Sequence, residues 1–124
     1  MNGKPAPVRL RFEAETSNGS ILHVPSVTVF ELWYGVCKSK RRDANARILH
    51  DFLSGPIALL PFEGEDARFA GEIRAQLESV GRPVGEYDLL IAGQALRHEM
   101  TLVTANAREF GRIKNLSWED WSRS

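Results

Sequence analysis

The chain has 124 residues, the length of one domain, and its 43% hydrophobic and 26% charged residues match a globular protein. Lys plus Arg (16) balances Asp plus Glu (16), which excludes a strongly basic nucleic-acid coat and a polyanionic tail and leaves only local patches. The single cysteine, Cys37, excludes an internal disulfide framework and a Cys-rich zinc site; with no apolar run near the ~18 residues of a membrane span and no signal-peptide core, a cytoplasmic protein without membrane contact is expected.

Pro5 and Pro7 suit the start of a short helix over Pro7 to Thr16, which Ser17-Asn18-Gly19 ends. Ile21 to Val24 reads as a strand closed by Pro25. Val27 to Lys38 is a helix with Val29, Phe30, Leu32, Trp33 and Val36 spread over a wide arc, so it is expected to be largely buried. Asp43 to Leu53 is an amphipathic helix with Ile48, Leu49, Phe52 and Leu53 on one side, broken by Ser54-Gly55-Pro56. Ile57 to Leu60 is the next strand. Glu63 to Val80 is a long helix with Phe69, Ile73, Leu77 and Val80 in helical register, stopped by Gly81-Arg82-Pro83. Glu86 to Arg97 is a short apolar helix, Thr101 to Thr104 a buried strand, Ala107 to Phe110 a turn or single helical turn, and Leu116 to Trp118 a last short strand. Short apolar strands alternating with amphipathic helices predict an α/β sandwich with a mainly parallel sheet. Ligands in such sheets sit beyond the carboxyl ends of the strands, which directs attention to the residues after Val24 and Val103.

The nucleotide-binding glycine motifs and the serine-nucleophile elbow are all missing. His23, His50 and His98 lie on unrelated elements at no metal spacing, and read as structural. The remaining chemistry is acidic. Glu31 lies in the first turns of a helix, Asp88 opens another, and Asn106 and Glu109 follow the Thr101–Thr104 strand. Carboxylates converging at one sheet edge would bind Mg²⁺ or Mn²⁺, which take oxygen ligands and keep several waters. Such metals activate water and stabilise the leaving oxygen of a phosphodiester. Each acid also has a structural use: Thr28-x-x-Glu31 can form a capping box, and the helix dipole alone favours Asp88.

Longer stretches carry a family resemblance. Pro25-Ser-Val-Thr-Val-Phe-Glu31-Leu-Trp-Tyr-Gly35-Val, Ile73-Arg74-Ala75-x-Leu77-Glu78, Gly85-Glu-Tyr-Asp88-Leu-Leu-Ile-Ala92, Thr101-Leu-Val-Thr104-x-Asn106-x-Arg-Glu109-Phe110 and a closing Trp121 resemble PIN-domain ribonucleases, and among them VapC-type toxins of bacterial toxin–antitoxin pairs. The resemblance runs from about Val8 to Trp121. It implies a PIN-like three-layer α/β/α sandwich with a mainly parallel sheet, a single domain over residues 1–124, and Mg²⁺- or Mn²⁺-dependent endoribonuclease activity. It makes Asp88 a direct metal ligand and Glu31 a holder of metal or its attacking water. It places Asn106 where many members carry a fourth Asp or an Asn, and lets Glu109 assist if Asn106 does not. It further implies an RNA substrate, a cognate VapB-like antitoxin and a homodimer.

The chain departs from the family at its start. Members open with a strand resembling Leu-Leu-Asp-Thr-Asn, whose Asp is a metal ligand, and nothing like it precedes Val8. The N-terminal strand is therefore expected to be absent and the domain truncated relative to the family, through a late start codon or a shortened gene. Fewer carboxylates would lower metal affinity, and the neighbouring strands would be left with open edges. Two rival functions follow: a catalytically dead remnant that only binds its antitoxin, and a nuclease directed at DNA or at particular nucleic-acid structures.

Other features carry two readings each. Lys38, Lys40, Arg41 and Arg42 form either an RNA-phosphate contact or a solvated inter-helix turn. Trp33 and Tyr34 are either partner anchors or core. Trp118 and Trp121 read as packing residues, and Cys37 as a small buried hydrophobe.

Overall fold

The computed structural model describes residues 6–122. Helix α1 (Ala6–Ser17) leads into β1 (Leu22–Pro25), α2 (Ser26–Lys38), α3 (Arg42–Leu53) and β2 (Ile57–Leu60). The chain continues through α4 (Gly64–Ser79), α5 (Glu86–Arg97), β3 (Leu102–Val103), the single turn α6 (Ala107–Phe110) and β4 (Trp118–Glu119). Two compact units result, one spanning Glu15–Pro61 and one formed by the chain from Phe62 onward with the segment up to Ala14.

In the unit Glu15–Pro61, β1 and β2 pair in parallel, from Leu22 opposite Ile57 to Pro25 opposite Leu60. Parallel neighbours need a crossover, and α2 and α3 supply it. Ser26 Oγ donates to the Leu60 carbonyl at 3.2 Å, tying the start of α2 to the end of β2.

Helix α2 is not buried as expected: none of its residues is buried, and Phe30 and Tyr34 stand 54% and 59% exposed. The apolar residues run around most of the helix, whereas within the unit α3 and β1 are its main packing partners. Cys37, expected inside, is exposed near the end of the same helix, where its Sγ accepts from Arg42 Nη2 at 3.6 Å. The Thr28–Glu31 capping box does not form either. Helix α2 begins at Ser26 behind Pro25, so Thr28 already lies inside the first turn and cannot be the cap.

The second unit is built on α4 packed against α5. The crossing is close at Gly93, where a Cβ would lie 2.8 Å from Ala70 N and 2.9 Å from Ala70 Cβ. The helix-start device expected at Thr28 occurs here instead. The Asp66 carboxylate accepts the N–H of Glu63, the residue preceding α4, at 2.7 Å. Asp66 is fully buried, and Arg97 from the end of α5 bridges it (3.2 Å) to Glu63 (3.0 Å). Gly81 closes α4 with φ +70°; the Arg82 N–H reaches the Leu77 carbonyl and the Gly81 N–H that of Glu78, the paired bonds of a Schellman stop.

The core of this unit gathers Leu77 from α4, Val84, Leu89 and Ala92 from α5 and its approach, and Phe110 and Ile113 at and after α6. Strands β3 and β4 pair in parallel over two residues, Leu102 opposite Trp118 and Val103 opposite Glu119. Both are shorter than expected, and β4 lies two residues later than its sequence signal. The anticipated burial of β3 is also not found: Leu102 is half-buried and Val103 exposed, because so short a ladder covers little of either strand. Trp118 and Trp121 pack as expected, both half-buried; Trp121 lies under the Arg11 guanidinium (5.1 Å) and donates to Glu119 (3.0 Å).

Candidate active site

Two helix starts in the second unit deliver two carboxylates to one place. Gly85 caps α5, and Asp88 is the third residue of that helix. Asn106 caps α6, and Glu109 is the third residue of that turn. The next residue in each case is a core anchor: Leu89 is 5% exposed and Phe110 3%, in the same apolar cluster. The acids are thereby held at the rim of a packed core while their carboxylates stay half-exposed.

Asn106 joins them. Its Nδ2 donates to Asp88 Oδ2 and to Glu109 Oε2, each at 3.3 Å. Its own position is set from β3, because Thr104 Oγ1 accepts the Asn106 N–H at 3.0 Å and the Thr104 N–H reaches the Glu119 carbonyl at 2.9 Å. Gly85 forms the floor: a Cβ there would lie 4.0 Å from both Asp88 Oδ2 and Glu109 Oε2. The Glu109 carboxyl is held below its ordinary value. The hydrogen bond with the Asp88 carboxyl is the first cause, followed by those from Asn106 and the Gly85 backbone and by the charge of Arg112, against an opposing effect of desolvation. Arg112 is itself positioned by donating to the Pro83 carbonyl at 2.9 Å.

These donors fit a hard divalent cation. Two carboxylate oxygens converge on one point, and an amide whose Oδ1 could turn toward it is the third group. In the structure the amide NH₂ provides positive character between the two oxygens. Among the described residues, no three His, Cys, Asp or Glu side chains group as a metal site, so Asp88 and Glu109 stand as a pair.

Of the residues singled out from sequence, Asp88, Asn106 and Glu109 are brought together. Glu31 lies on α2 in the other unit, exposed. Lys38 ends α2, Lys40 and Arg41 form the turn, and Arg42 opens α3. Lys38 turns its ammonium over the Tyr34 ring at 5.3 Å. Lys40, Arg41 and Arg42 instead line an open basin of about 460 Å³ with Asp43, Ala44 and Arg47. Trp33 is half-buried and meets His50 edge to face, with ring centroids 5.0 Å apart. Gly85 and Thr104 stand in the sequence motifs but were given no role there, and Arg47 was not singled out at all. Its trace is its spacing, one helical turn after Asp43.

A PIN domain model matches residues 2–116. The chain belongs to the PIN-domain family. Within the family it groups with VapC proteins. It is 41% identical to the tRNA(fMet)-specific endonuclease VapC of Shigella flexneri, over 98% of this chain and 89% of that one. It is 37% identical to ribonuclease VapC2 of Rickettsia felis, over 99% and 90%. In three dimensions it matches a chain of the DNA-bound VapBC crystal structure from Salmonella typhimurium with a TM-score of 0.87 and 39% identity, covering 96% of this chain and 87% of that one. The VapBC2 structure from Rickettsia felis bound to a promoter DNA fragment gives the same TM-score at 38% identity, over 94% and 86%. The PIN-like α/β fold expected from the motifs is the fold of this chain, and among the described residues both strand pairs are parallel.

Proposed function

We propose that this PIN domain is the toxin of a VapBC-type pair, a cytoplasmic endoribonuclease that cleaves RNA phosphodiester bonds with Mg²⁺ or Mn²⁺ and is restrained by a VapB-like antitoxin. One observation carries the reading: Asp88 and Glu109 converge on a single point through Asn106 at the end of β3. The names of the relatives, ribonuclease and tRNA(fMet)-specific endonuclease, support it, and make initiator tRNA the first RNA to test. The VapBC complexes among the structural relatives support the antitoxin as partner, and a homodimer of the toxin belongs to the same reading.

Asp88 and Glu109 would hold the cation through their carboxylates. When bound, the cation lowers the pKa of its water and offsets charge on the phosphate. The chain's own contribution is positional. Leu89 and Phe110 fix the backbones behind the acids, Asn106 keeps their oxygens facing one point, and the Gly85 N–H stabilises the ionised Glu109. With the carboxylates already convergent, only the Asn106 amide has to turn as the site is filled.

The test is cleavage of labelled tRNA by the purified chain with Mg²⁺, with Mn²⁺ and with EDTA. Cleavage that needs the divalent ion and disappears in Asp88→Asn supports the reading, and cleavage that survives both treatments overturns it. A second reading, a module that binds antitoxin without cutting, is favoured by the lack of a three-residue metal cluster among the described residues. It predicts antitoxin binding with no cleavage under any ion.

A further inference from the structure

The basin at the α2–α3 turn is a second concentration of chemistry, made by residues that the proposed active site does not use. Lys40, Arg41, Arg42 and Arg47 line it, with Asp43 as its one carboxylate and Ala44 between them. Among the described residues none of the four cations enters an ion pair, whereas Arg68, Arg74 and Arg97 are all paired. A protein of zero net charge thus keeps a local excess of three positive charges in one shallow, open place.

The turn beneath the basin is braced. Ser39 Oγ donates to the Val36 carbonyl at 2.8 Å, and Asn45 Nδ2 donates to Ser39 Oγ at 3.0 Å. The Asn45 N–H closes the first turn of α3 on the Arg41 carbonyl at 2.9 Å. The basin residues Arg42, Asp43 and Ala44 therefore form the first turn of α3, where backbone N–H groups have no intrahelical acceptor. Guanidinium forks match phosphate oxygens two at a time, and three of them beside a lysine suit an anion with several oxygens.

We infer that this basin is a phosphate-binding site for the RNA backbone, formed by Lys40, Arg41, Arg42 and Arg47 and excluding Lys38. It grips the RNA in any sequence, and rests on the reading of the chain as an RNA-cleaving enzyme. Arg47 belongs to it although it lies outside the basic run, because helical spacing brings it back over Asp43. Lys38 belongs to the run and not to the site, its ammonium lying over Tyr34.

The test is fluorescence anisotropy of a labelled single-stranded RNA and a labelled tRNA in EDTA, where binding is read without cleavage, at several salt concentrations. The probes are the unaltered chain, Arg41→Gln/Arg42→Gln/Arg47→Gln, Arg47→Gln alone and Lys38→Gln, with circular dichroism as the check on folding. The triple variant is expected to bind at least about 10-fold more weakly and to lose about 2 from the slope of log K against log salt, at ~0.7 per lost contact on single strands. Arg47→Gln alone loses about 0.7, and Lys38→Gln leaves both quantities unchanged. In cleavage assays the triple variant raises KM and keeps kcat. RNA binding by the triple variant with the original affinity and slope overturns the proposal. So does loss of binding to a poly-glutamate peptide in place of RNA, which would make the basin a dock for an acidic protein. A chain that binds RNA through the basin yet never cleaves it refutes the enzyme reading alone and leaves the site standing.

Discussion

Asp88 and Glu109 share one hydrogen-bond donor. Asn106 Nδ2 lies 3.3 Å from Asp88 Oδ2 and 3.3 Å from Glu109 Oε2, so a single amide faces two acids from different helices. Both acids occupy the third position of a helical start, and both are followed by a residue of the same core. The pair is a consequence of packing, since neither acid reaches the other through its own helix.

Removing either acid should disable the site without unfolding the unit. Asp88→Asn and Glu109→Gln keep size and lose charge, and each is expected to lower kcat roughly 100-fold, the scale of one lost electrostatic stabiliser. Calorimetric titration with Mn²⁺ should show weaker binding in both. Full Mn²⁺ affinity in the two variants would remove them from the metal site.

Asn106→Asp should exchange a donor for a third carboxylate. Without metal, three acids then repel, so the melting temperature should fall. With Mn²⁺ it should recover by more than in the unaltered chain, because a tighter ligand stabilises by RT ln(1 + [L]/Kd). Paired thermal melts with and without Mn²⁺ measure both effects. An identical Mn²⁺ response in the two proteins would show that Asn106 does not face the ion.

Acid should weaken the metal-free fold through Glu109. Its folded-state pKa lies below the ordinary 4.5, chiefly through the hydrogen bond with Asp88. The stabilisation is therefore fully present above that value and is lost as pH falls through the lowered one. The stability difference between the unaltered chain and Glu109→Gln should shrink between pH 6 and pH 3. A Glu109 carboxyl carbon titrating by NMR at or above 4.5 would contradict the assignment.

The α4–α5 junction should be the most sensitive structural point. Asp66→Ala takes from Arg97 its buried partner and from the Glu63 N–H its acceptor at the start of α4, at a cost of about 1–3 kcal/mol. Gly93→Ala drives a methyl to 2.8 Å from the Ala70 backbone and should cost ~1–3 kcal/mol. Urea denaturation would resolve both. Cleavage per folded molecule should be unchanged, since neither residue touches the acids.

Local order was legible where the chain is punctuated. Gly81-Arg82-Pro83 announces the stop of α4, Pro25 ends β1, and α5 runs over Glu86–Arg97 as its apolar pattern requires. The failures share a cause. Apolar content around α2 signalled burial, but burial depends on what packs against a helix, and α2 has cover on only part of its surface. The Thr28-x-x-Glu31 pattern is compatible with a cap, but Pro25 already sets the helix start. Asp66 passed unnoticed because an acid in a first turn looks the same whether it faces solvent or is sealed beneath Arg97.

The amino-acid sequence by itself determined the family, the parallel α/β character and the identity of the candidate acids, because motifs and hydrophobic periods are local along the chain. Only the tertiary structure decided which of those residues meet. Packing around Leu89 and Phe110 brings Asp88 and Glu109 to one amide, and helical spacing replaces Lys38 with Arg47 in the basic basin. A carboxylate's chemistry resides in the residue, but two of them make a site only when a core holds their backbones side by side.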